Sequence, residues 1–144
     1  MRLEPVSNKE AGEEQLIREW AALFEQLPRA SMSAYVEQVL GPLRPLPPAD
    51  PRAKLSLRER NERRQREELL LTLETLIACD GQIAEMSSRL FIHRNTAAYR
   101  IEKLEKLLGM QLKQTESLLR LKLAFVFRRL LAEEADDRRA DGKR

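Results

Sequence analysis

Apolar residues recur along this chain at intervals of three and four, the period of an α-helix, and the clearest case lies in residues 80–109, DGQIAEMSSRLFIHRNTAAYRIEKLEKLLG. Ile83, Met86, Ser87 and Leu90 share one face of a first short helix. A break follows at Phe91 and Ile92, and a second helix carries Ala97, Ile101, Leu104 and Leu108 on its inner side. Gly109 suits a left-handed helix end and stops it. With so short a link, the two helices must cross steeply rather than lie antiparallel.

The same period predicts the flanking elements. Residues 1–11 are polar and are expected to be loosely ordered. Residues 13–27 carry Leu16, Ile17, Trp20, Leu23, Phe24 and Leu27 as one stripe ended by Pro28, a helix for docking, dimerisation or packing on the chain's own core. Ser31 or Ser33 would cap a second helix holding Tyr35, Val36, Val39 and Leu40, which Gly41 and Pro42 end. Pro42, Pro45, Pro47, Pro48 and Pro51 make the next stretch a stiff spacer. Ser56 and Glu59 have the spacing of a capping box, opening a long helix to about Cys79. Its charged first half pairs Glu59 with Arg63 and Glu62 with Arg66, and its apolar second half is a scaffold. Thr115 would cap a closing helix with more apolar surface than one face needs. From residue 135 the sign-alternating tail reads as disordered.

With the stripe of the second central helix turned inward, Asn95, Tyr99, Glu102 and Lys106 face out, Arg94 and Thr96 stand in the first turn, and Lys103 lies on the flank. Major-groove base edges are read by side chains near a helix N-terminus, where Arg pairs with guanine and Asn with adenine. Free backbone N–H groups and the positive dipole end suit a phosphate there as well. A solvated amphipathic helix would show the same spacing. On the DNA reading, Arg94, Asn95 and Tyr99 contact bases, while His93, Thr96, Arg100 and Lys103 contact the DNA backbone. Arg89 would reach a flanking phosphate from the first helix of the pair.

The run His93-Arg94-Asn95-Thr96 followed by Tyr99-Arg100 resembles the hallmark of the C-terminal helix-turn-helix domain of the PucR/CdaR family of bacterial transcription regulators. Leu73, Leu76, Leu90-Phe91-Ile92 and Leu123-Ala124 match as well, and residues 36–43, VEQVLGPL, resemble the segment leading into that domain. A Fis-type helix-turn-helix is a broader and weaker likeness. Ala97 stands where family members more often have a larger aliphatic residue, and Ser87 where alanine is usual. The resemblance implies a DNA-binding transcription regulator. Family members are much longer, with a sensory region and a middle domain before the helix-turn-helix, so effector sensing does not carry over.

Composition narrows the picture further. Apolar residues are 42% and aromatics 5% of 144, which favours an all-α fold. The domains expected are an N-terminal helical arm with its linker (residues 1–51), a helix-turn-helix domain (52–134) and a tail (135–144). The net charge is +3, but residues 52–66 hold seven basic and two acidic side chains, a phosphate-contacting arm or a solvated extension. No apolar run spans a membrane, no signal peptide opens the chain, and one cysteine excludes an internal disulfide, so a cytoplasmic protein is expected. One histidine and one cysteine assemble no catalytic triad and no metal site, and the chain is read as a non-enzyme without cofactor or small-molecule ligand. The partners expected are double-stranded DNA and a second copy, since one such helix reads only a few base pairs. A helical protein-interaction adaptor or a Fis-like nucleoid protein is the alternative.

Overall fold

The structure is a computed structural model that describes residues 14–44 and 50–142. The polar N-terminus and Pro45, Pro47 and Pro48 lie outside the described residues. Every regular element described is helical: a turn of helix over residues 14–19, then α1 (Ala21–Glu25), α2 (Arg29–Leu40), a 3-10 turn (Gly41–Leu43), α3 (Leu57–Ala78), α4 (Ile83–Arg89), α5 (Arg94–Leu108) and α6 (Thr115–Asp141). The elements gather into two compact units. Leu40–Leu119 form one, and the described residues up to Val39 join those from Arg120 onward in the other. This grouping differs from a division at residues 51 and 134, because the segment around Leu43 is core rather than linker.

In the unit Leu40–Leu119, α3, α4 and α5 pack on one another, and the 3-10 turn packs on α3. Ser56 starts α3 with the expected capping box: its hydroxyl accepts from Glu59 N and the Glu59 carboxylate accepts from Ser56 N, both at 3.2 Å. Glu59 is thereby engaged at the cap, and Glu62 pairs backward with Arg58 at 3.2 Å. Arg66 donates to the Arg44 carbonyl, 3.3 Å away. The scaffold half of α3 buries Leu73 and Leu76, and the helices packed on it bury Met86 of α4 and Ala97, Ile101 and Leu104 of α5. Leu43, at 1% exposure, belongs to the core of the same unit. α3 ends at Cys79, with Asp80 and Gly81 both at positive φ, and α5 ends at Gly109 in the left-handed conformation expected of it.

The other unit centres on Phe24, Met32, Val126 and Phe127, with Ile17, Tyr35 and Leu130 against them. Phe127 makes T-shaped contacts with Phe24 and Tyr35, with ring centroids 5.6 and 5.7 Å away. Three expectations change here. The helix of residues 13–27 is interrupted at Trp20, although Trp20 N still donates to Leu16 O and Phe24 N to Trp20 O, so the interruption is a local distortion. Only part of its stripe is covered, since Trp20 and Leu23 stay 42% and 62% exposed. α2 begins at Arg29, before either serine, because the Pro28 carbonyl accepts the first bonds from Ser31 N and Met32 N. The tail from residue 135 is helical to Asp141 rather than disordered: Arg129 and Glu133 pair along the helix, and Arg138 and Arg139 in the last turn suit its negative end. No described helix is long and apolar enough to cross a membrane.

Candidate nucleic-acid interface

His93 opens α5. Its Nδ1 accepts a hydrogen bond from Asn95 N at 3.1 Å, satisfying one of the free amides of the first turn and placing the ring proton on Nε2. The first turn contains no carboxylate, so the positive end of the helix dipole stands unopposed and Arg94 adds to it. Burial divides the helix cleanly. Ala97 and Leu104 have no exposed surface and Ile101 has 6%, while Arg94, Asn95, Thr96 and Tyr99 are exposed. This is the arrangement the apolar period predicts. Ala97 fills its core position without a larger side chain, and Ser87 turns its hydroxyl back to the Ala84 carbonyl at 3.3 Å.

Along the open face, the Lys103 ammonium stands 5.4 Å from the Tyr99 ring centroid, a cation–π contact that steers both side chains. Glu102 is ion-paired with Lys106 at 3.2 Å, which compensates the one negative charge of this face. Two of the sequence-selected residues are placed differently. Arg100 turns toward α3: its Nη1 donates to Thr72 Oγ1 at 3.3 Å, its Nη2 lies 3.9 Å from Glu68 Oε2, and its side chain is only 20% exposed. Arg89 folds along α4 with its Nη2 3.6 Å from Glu85 Oε1, buried and without a hydrogen bond among the described residues. The open face thus brings together Arg94, Asn95, Thr96, Tyr99 and Lys103 beside the His93 cap, while Arg89 and Arg100 face inward.

Thr72 was not singled out by the sequence, because a threonine inside an apolar stripe gives no sign of holding a distant arginine. Phe91, in the turn before α5, is 96% exposed at φ 54°. Among the described residues no cluster of three or more His, Cys, Asp or Glu side chains could hold a metal ion.

The comparisons with known proteins cover this same region. The PucR C-terminal helix-turn-helix domain matches residues 69–127, from the apolar half of α3 into α6. A purine catabolism regulatory protein of Bacillus subtilis (strain 168) is 44% identical over 72 residues, which is 49% of this chain and 14% of that protein. The chain therefore spans a small part of that relative's length. No solved structure matches significantly. The buried stripe of α5 and its open polar face lie within the span, residues 69–127, that is similar to the PucR C-terminal helix-turn-helix domain.

Proposed function

We propose that the chain is a sequence-specific, DNA-binding transcription regulator in which residues 93–108 form the recognition helix and enter the major groove of duplex DNA. The observation that carries this reading is the N-terminal half of α5, which exposes Arg94, Asn95, Thr96 and Tyr99 over a fully buried Ala97 and has no carboxylate in its first turn. Arg94, Asn95 and Tyr99 read base edges; Thr96, Lys103 and the His93 ring hold the backbone. Arg100 ties α5 to α3 through Thr72 and Arg89 folds along α4 beside Glu85, so neither is directed at a phosphate. The domain match and the similarity to a purine catabolism regulatory protein support the reading. The regulator works as a homodimer on a two-fold site, in the cytoplasm where its DNA lies.

Selection from a random duplex pool tests the proposal. An enriched inverted repeat, lost on Asn95→Ala, is the expected result. Failure of the wild-type chain to retain any duplex at low ionic strength would end it.

A further inference from the structure

The turn between α4 and α5 contains a residue whose conformation and exposure are both unfavourable. α4 ends in a Schellman arrangement: Phe91 N donates to the Ser88 carbonyl at 3.2 Å and Ile92 N to the Ser87 carbonyl at 3.1 Å. Phe91 occupies its left-handed position, with φ 54°. Glycine ordinarily fills that place, because a Cβ crowds the following carbonyl, and a bulky residue there is an outlier. Burial of the ring could offset the strain, yet Phe91 is 96% exposed. An isolated exposed apolar residue is commonplace. A phenylalanine held in water, in a conformation that glycine adopts freely, is not, and strain of this kind collects where a residue serves something outside the fold.

What lies beside it indicates what that is. Phe91 comes two residues before the His93 cap, at the end of α5 where Arg94, Asn95 and Thr96 are open and no carboxylate intervenes. Such surroundings favour a polyanion with apolar patches over the apolar groove of a protein. Deoxyribose and the thymine methyl supply those patches. We propose that Phe91 is a DNA-contacting residue, its ring lying on the sugar and thymine-methyl surface at the edge of the groove that α5 enters. The inference rests on the DNA-binding reading above and adds a residue outside the recognition helix to it.

The test uses the full chain, a duplex enriched from a random pool by the wild type, the random pool itself, and three variants: Phe91→Gly, Phe91→Leu and Asn95→Ala. Phe91→Gly relieves the backbone and removes the ring, so it should melt no lower than wild type, keep the wild-type mass in light scattering, and bind the enriched duplex about tenfold more weakly. Phe91→Leu should regain part of that loss. If Phe91→Gly binds within about twofold of wild type while Asn95→Ala loses discrimination, the Phe91 assignment falls and the DNA reading stands. A fall in oligomer mass accompanying the weaker binding makes the ring a subunit contact and overturns the assignment; so does a matching fall in melting temperature, which makes it structural. If the wild type itself retains no duplex, both readings fall.

Discussion

Arg100 Nη1 donates to the hydroxyl oxygen of Thr72 across 3.3 Å, and the Thr72 hydroxyl, with no exposed surface, in turn donates to the Glu68 carbonyl at 2.7 Å. A charged group on α5 is thus fixed to the backbone of α3 through one buried hydroxyl. The nearby Glu68 carboxylate, 3.9 Å off and half open to water, contributes little. Removing the guanidinium with Arg100→Ala leaves the rest of the core intact and should lower unfolding stability by about 1–2 kcal/mol. Urea titration measures this, and Glu68→Gln should change it by less than about 0.5 kcal/mol. Equal losses for the two variants would assign the anchoring to the ion pair instead.

Asn95 and Lys103 should fail in different ways. Asn95 is exposed at the start of α5, so Asn95→Ala is expected to narrow the gap between the selected duplex and random DNA by about 1–3 kcal/mol. Lys103 stands over the Tyr99 ring, and Lys103→Ala should weaken all duplexes alike and reduce the slope of log affinity against log salt by about 1. Binding isotherms at several salt concentrations resolve both effects. Uniform loss on every sequence for Asn95→Ala would remove it from base reading.

Ser56→Ala opens the capping box, stranding Glu59 N and releasing the Glu59 carboxylate from Ser56 N. The expected loss is about 1 kcal/mol. Restoration by Ser56→Asp, another side chain able to accept from Glu59 N, would identify the cap as the cause; no recovery would point to some other role for the hydroxyl.

Gly109 and Gly81 separate backbone conformation from space. An added Cβ at Gly109 meets nothing within 4 Å, so Gly109→Ala should cost only the left-handed penalty, about 1 kcal/mol at φ 66°. At Gly81, φ is 81° and the new Cβ would stand 2.9 Å from Leu118 Cδ1. Gly81→Ala should therefore cost more, about 2 kcal/mol, with the excess disappearing when Leu118 is shortened to alanine in a double-mutant cycle. Additive effects would show that Leu118 swings aside freely.

The helix-turn-helix was legible because the inward face of each helix repeats with the helical period. Met86, Ala97, Ile101 and Leu104 fall where that period places them, and the punctuation at Ser56 and Gly109 is local chemistry. What was not legible depends on neighbours distant in sequence. Nothing around Arg100 announces that Thr72, twenty-eight residues earlier, will take its guanidinium inward. The same holds for Arg89, whose spacing suits a flank but whose side chain folds along α4. The start of α2 was misplaced because serine is a strong cap in general, whereas here the Pro28 carbonyl comes first. The helical end of α6 was missed because mixed charge signals disorder in isolation, while a helix already nucleated upstream propagates at small cost.

Trp20, the single tryptophan of the chain, stands 6.1 Å from the Phe24 ring at 74°. Its emission therefore reports the unit built around Phe24 and Phe127, not the unit that holds Ser56, Thr72 and Arg100. An emission-detected transition that ignores Ser56→Ala or Arg100→Ala would say nothing about those substitutions. Amide exchange along α3 and α5, or circular dichroism, is the observable suited to them.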